Sequence, residues 1–319
     1  MVSEILVRAQ LYRSKQADLY NTSARRSAIF SFVIHCFSFF IIEKRLSFFC
    51  VYVIIKQPIN KNLTGTVEMS ITQKFYDNLA SHYDKLFLDW QATTQEQAVL
   101  LQRIFQKFNF DQSASILDCA CGIGTQSIGL ACLGYNVTAS DISNGEIAEA
   151  KIRAVNANVK IHFENADFCA LSKAFAKRFD IVIAMDNALP HMLSTEDLGK
   201  AVKSIVNQIE EHGIFVGSIR DYDTLLQNKP PYSPPYIHKT EKGQRVSFQT
   251  WDWRGEQYKL TQYIINDEGN LEINKFECEY RATRREELTN LFIAKGCKDV
   301  IWMFPKETGF YQPIVIAKK

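Results

Sequence analysis

A chain of 319 residues with 46% hydrophobic and 23% charged residues is enzyme-sized and able to bury a core, which excludes a disordered, collagenous or wholly membrane-embedded protein. Its net charge of +2, from 37 basic and 35 acidic residues, is too balanced to make nucleic acid or anionic lipid the main partner. Eight cysteines show no CxxC pair and no zinc-like or disulfide-framework spacing, so reduced thiols and a cytoplasmic location are expected.

The charge is unevenly spread. Residues 1–68 carry nine Lys/Arg against four Asp/Glu, net +5, whereas the remainder is net −3. In this leader two apolar runs, 28–42 and 46–55, flank Glu43-Lys44-Arg45, and each is shorter than the roughly 20 residues of a membrane-crossing helix. Arg25 and Arg26 imitate a signal peptide, but no small-residue cleavage site follows. The leader is expected to lie outside the functional fold, with Met69 as an alternative start. A membrane-surface hairpin or targeting extension is the competing reading; the body, 69–319, is not expected to bind membranes.

From Met69 onward helices and strands alternate. Phe75, Leu79, Tyr83 and Leu86 recur at helical spacing and predict an entry helix over 70–88, followed by a second over 94–105. Strands are predicted at 115–119, 136–141, 159–163, 179–185 and 213–219, with helices at 125–133, 144–155 and 195–211 between them. That rhythm implies a doubly wound, mostly parallel α/β sheet. After Asp223 the pattern becomes apolar–polar alternation broken by Lys242-Gly243, Arg254-Gly255 and Asp267-Glu268-Gly269-Asn270, which predicts an antiparallel β insert over about 228–283. A helix at 284–295 and strands at 299–304 and 311–317 close the chain.

The turn after the first strand, Asp118-Cys119-Ala120-Cys121-Gly122-Ile123-Gly124, has two glycines that let a ligand approach the backbone at the carboxyl edge of the sheet. A dinucleotide-binding turn would carry a third glycine where Ser127 stands, which weakens an oxidoreductase reading. Asp118 at the strand end suits a cationic ligand better than a phosphate. Asp141, followed by Ile142, closes the second strand and is placed to accept two ribose hydroxyls. Tyr76, Tyr83 and Trp90 on the entry helices are candidates to cover the ligand. Arg220 follows the 213–219 strand and offers two-pronged donors that suit a carboxylate. No His and carboxylate cluster has ligand spacing, so no metal is expected.

ILDCACGIGT resembles motif I of the class I S-adenosylmethionine-dependent methyltransferases, usually LDxxxGxG, and ASD ending in Asp141 resembles their second motif. Asp167-Phe168 resembles the pair that reads and covers the adenine. The stretch 186–193, Asp186-Asn187-Ala188-Leu189-Pro190-His191-Met192-Leu193, is similar to GNSxxHL of the glycine N-methyltransferase group, and Ile219-Arg220-Asp221-Tyr222-Asp223 to its HRNYD. The resemblance implies a Rossmann-like seven-stranded fold and S-adenosyl-L-methionine as cofactor, held by Asp118, Ala120, Gly122, Gly124, Asp141, Ile142, Asp167, Phe168, Asp186 and Tyr76. It implies catalytic roles for Asn187, which orients the substrate amine, and Arg220, which holds an amino-acid carboxylate. His191, Tyr222 and Tyr236 are further substrate-binding candidates. The chain departs from the family in one respect: 90–102 has no Lys or Arg for the cofactor's carboxylate, which leaves Arg103 or backbone amides. The implied activity is N-methylation of glycine or a similar amino acid. An O- or C-methyltransferase of another metabolite and a non-catalytic cofactor-binding domain remain as alternatives, and a homo-oligomer is left open.

Overall fold

The computed structural model describes residues 69–319; the leader, with its two apolar runs, lies outside them. Five parallel strands, β1 (Ser115–Asp118), β2 (Asn136–Asp141), β3 (His162–Asn165), β4 (Phe179–Ala184) and β5 (Ile209–Ser218), join β10 (Asp299–Met303) and β11 (Ile314–Lys318) in one sheet. The order is β10-β11-β5-β4-β1-β2-β3, and β11 is antiparallel to both neighbours. This is the seven-stranded, mostly parallel α/β sheet that the alternation predicts.

Helices α1 (Ile71–Leu79) and α2 (Trp90–Lys107) precede β1, and α3 (Thr125–Cys132), α4 (Asn144–Asn156) and α5 (Thr195–Asn207) cross over between parallel strands. Helix α6 (Tyr222–Asn228) leads towards the insert, α7 (Arg285–Ala294) leaves it, and the short α8 (Pro305–Thr308) joins β10 to β11. The strands read as unbroken apolar runs because both faces are covered. Along β4, Ile181 and Ile183 pack with Leu101, Phe105 and Leu130 of α2 and α3. The alternate residues Val182 and Ala184 pack with Leu198, Val202 and Ile205 of α5 on the other face, as the two-residue period of a strand requires.

Several boundaries differ from the sequence pattern. The entry helix ends at Leu79 and tightens into a 3-10 segment, Ala80–Leu86, whose three-residue period puts Ala80, Tyr83 and Leu86 on one side. Helix α2 starts four residues early because Asp89 caps it, its carboxylate accepting from Ala92 N at 3.0 Å. Val159 and Ile161 belong to the turn after α4, which Asn158 opens at φ 54°, so β3 begins only at His162. Helix α5 stops at Asn207, and β5 starts at Ile209 with a register shift against β4 and His212 at φ 68°.

The insert is a four-stranded antiparallel sheet in sequence order, β6 (Tyr236–Thr240), β7 (Gly243–Arg254), β8 (Gln257–Asp267) and β9 (Leu271–Arg281). In the main sheet β1 lies between β2 and β4, so the chain reverses its winding there, and the crevice opens at the carboxyl ends of these strands. Helix α1 closes over one side of it. Asp77 Oδ1 accepts from Ser143 Oγ at 2.6 Å and Gly145 N at 2.9 Å, and a Cβ on Gly145 would stand 3.1 Å from the Asp77 backbone.

Candidate active site

The crevice is shaped by the turn between β1 and α3. Gly122 and Gly124 sit at φ 51° and 90°, a left-handed conformation that suits glycine, and Gly124 is the N-cap of α3. Asp141 reaches back to this turn from the end of β2: its Oδ2 accepts from Gly122 N and its Oδ1 from Ser143 N, both at 2.9 Å. Each oxygen keeps a lone pair for a further donor. The turn, Asp141 and α1 enclose a cavity of about 540 Å³. Ala120, Gly122, Asp141 and Ile142 line it at one end, Asp167 and Phe168 at another, and Tyr76, Asp186 and His191 on the side of α1 and β4.

A second cavity, of about 730 Å³, lies against the insert. One face of the antiparallel sheet supplies Tyr236, Gln249, Trp251, Leu260 and Tyr280, which alternate along their strands, and the main sheet supplies Arg220 after β5. Arg220 donates from Nη1 to Tyr258 Oη at 2.6 Å and from Nη2 to Gln249 Oε1 at 2.9 Å. Its guanidinium also lies 5.1 Å from the Trp251 ring centre and 5.3 Å from that of Tyr280. Tyr76, Tyr83 and Asp186 line both cavities, so the two spaces meet at these side chains.

Residues 116–213 match the family described as a methyltransferase domain. A glycine/sarcosine N-methyltransferase of Parasynechococcus marenigrum is 28% identical over 155 residues, 49% of this chain and 54% of that protein. Another, from Halorhodospira halochloris, is 23% identical over 67% of this chain and 77% of its own. The chain thus spans about half the length of the first of these relatives. Among solved structures, an S-adenosylmethionine-dependent methyltransferase from Clostridium acetobutylicum superposes with a TM-score of 0.61 at 18% identity, covering 76% of this chain and 98% of that one. Residues 116–213 thus carry a methyltransferase domain, on a fold shared with an S-adenosylmethionine-dependent methyltransferase.

The first cavity of this methyltransferase domain fits S-adenosylmethionine. Two carboxylates that line it have only neutral hydrogen-bond partners: Asp141 has two backbone amides, and Asp186 has Gln126 Nε2 at 2.8 Å and Tyr311 Oη at 2.7 Å. Burial raises the pKa of both above the ordinary carboxylate value. A ligand that carries a sulfonium and an ammonium supplies the positive charge these groups lack.

Two positions expected to face the cofactor do not line the cavity. Asp118 is turned beneath the turn, where Oδ2 accepts from Ser127 Oγ at 2.6 Å and Oδ1 from Ala120 N at 3.4 Å; burial holds its pKa at about 7. Ser127 stands where a third glycine would be and braces this carboxylate. Gly124 shapes the turn: a Cβ there would stand 2.8 Å from Ile128 Cδ1.

Three expected substrate positions are also displaced. His191 lines the first cavity, not the second. It stands 2.8 Å from Tyr76 Oη through Nε2, and burial pulls its pKa down to about 3, so the imidazole is neutral. Tyr222 is buried, with its hydroxyl 2.9 Å from Tyr258 Oη, and supports the partner of Arg220 from behind. Asn187 is buried too; its Oδ1 accepts from Arg220 N at 3.0 Å and fixes the backbone that carries the guanidinium. Arg103 is exposed and lines neither cavity. The lysine at the first cavity is Lys200, held by Glu196 at 2.9 Å and Asp197 at 3.0 Å. Trp90 lines neither cavity: its Nε1 donates to Thr125 Oγ1 at 2.9 Å, and Arg153 covers its ring.

Sequence reasoning missed Gln126, Gln249, Trp251, Tyr280 and Tyr311. The alternation of 236–283 predicts strands but leaves their register open, so no signal tells which face meets Arg220.

Proposed function

We propose that the protein is an N-methyltransferase of a small amine that carries a carboxylate. The observation that supports this reading is the meeting of the two cavities at Tyr76, Tyr83 and Asp186, with Arg220 in the second. The curated relatives named above carry glycine and sarcosine in their names, which agrees with a carboxylated amine as acceptor.

S-adenosylmethionine, when bound in the first cavity, would supply a methyl group already activated by its sulfonium, for in-line displacement by a neutral amine. The protein's task is to align and to exclude water, and such positioning can lower a barrier by roughly 7–11 kcal/mol. Asp141 would hold the ribose and Asp167 with Phe168 the adenine. Arg220, kept rigid by Tyr258, Gln249 and the two rings, would take the carboxylate in the second cavity. Asp186 faces both spaces, and burial makes its carboxylate a better proton acceptor than usual, so it can take the proton that the amine must lose. The neutral His191 would orient the Tyr76 hydroxyl at the junction without adding a positive charge beside the sulfonium.

The reading is tested by S-adenosylhomocysteine release from the purified protein with a pool of amino acids. Arg220→Ala should raise KM for the accepted substrate by roughly thirty-fold, the equivalent of about 2 kcal/mol for a buried charge pair left without its partner. Product release that is indifferent to Arg220→Ala would move the acceptor to a molecule without a carboxylate.

A further inference from the structure

The second cavity is larger and more apolar than glycine requires. At about 730 Å³ it falls within the roughly 300–1,000 Å³ of pockets that take drug-sized ligands. Of its charged lining residues Asp221 is paired with Arg285, whereas Arg220 and Asp186, the latter shared with the first cavity, are linked through Asn187, which follows Asp186 in the chain and accepts from Arg220 N. That pair of opposite charges complements the two ends of a zwitterion. Away from it the walls are Leu79, Leu86, Leu225 and Leu260. Leu88, Tyr236 and Phe304, all lining residues, are exposed large apolar side chains. Exposed apolar groups gathered at a concave site mark an apolar ligand. Glycine would satisfy the charged end and leave the apolar walls facing water.

We propose that the methyl acceptor is an α-amino acid with an apolar side chain, its carboxylate on Arg220, its amine towards Asp186 and its side chain against the Leu225 and Leu260 walls. This rests on the reading of the cavity as the site of a carboxylated amine. It differs from that reading in making the side chain, and not only the two charged ends, a source of affinity.

The test is calorimetry on the full chain saturated with S-adenosylhomocysteine, titrated in turn with L-phenylalanine, glycine and phenethylamine. Phenylalanine should bind at least ten-fold more tightly than glycine, because its ring is removed from water, and at least ten-fold more tightly than phenethylamine, which lacks the carboxylate. Glycine that binds as tightly as phenylalanine, while phenylalanine still exceeds phenethylamine, overturns the apolar acceptor and leaves the carboxylated amine standing. Phenethylamine that matches phenylalanine overturns the role of Arg220 and with it the reading beneath. Absence of binding by all three overturns both. The heat of binding reports these outcomes without turnover.

Discussion

Replacing Asp118 by Asn should make the protein more stable at neutral pH and flatten its stability profile. The carboxylate is 1% exposed and its pKa stands at about 7, against an ordinary 3.8. Below 3.8 both the folded and the unfolded chain carry the proton, and the group contributes nothing. Between 3.8 and about 7 the folded state binds the proton more tightly than the unfolded one, so stability falls as pH rises, and above 7 the loss is complete. At about 1.4 kcal/mol per pH unit that gap amounts to about 4 kcal/mol, of which about 3 kcal/mol falls between pH 5 and pH 8. Asparagine keeps the shape and one acceptor oxygen, and the Ser127 hydroxyl can rotate to accept from the amide. Urea denaturation of both proteins at several pH values, followed by tryptophan fluorescence, reads the effect as a midpoint that drops less with pH in the variant. Parallel profiles for the two proteins would refute the assignment of a buried, titrating carboxyl to Asp118.

Asp141→Asn should weaken S-adenosylhomocysteine binding roughly ten- to hundred-fold by calorimetry, since one amide oxygen replaces two carboxylate oxygens that Gly122 N and Ser143 N already occupy. Gly129→Leu should lower Tm by several degrees without direct contact with either cavity. A Cβ there would stand 2.5 Å from Thr94 O and 2.7 Å from Ala98 Cβ, and overpacking of this kind costs about 1–3 kcal/mol.

The sequence by itself determined the elements and the half of the site built from neighbours along the chain. Apolar runs of strand length alternating with helical spacing are a local signal, and they specify a parallel sheet because only parallel strands are buried on both faces. The turn with Gly122 and Gly124, the carboxylate of Asp141 and the pair Asp167-Phe168 each sit at the carboxyl end of a strand or just beyond, so their placement around one crevice follows from the order of the elements. Only the tertiary structure decided the rest. Asp118 lies in the same segment as the glycine turn yet points beneath it to Ser127, because a side-chain direction depends on what packs behind it. The three-residue period of the segment Ala80–Leu86 brought Tyr83 to the junction, and strand register brought Gln249, Trp251 and Tyr280 around Arg220. A one-residue slip in that register would turn every one of those side chains to the other face, and nothing local in the alternation prevents the slip; the packing of the insert against α1 and the main sheet does.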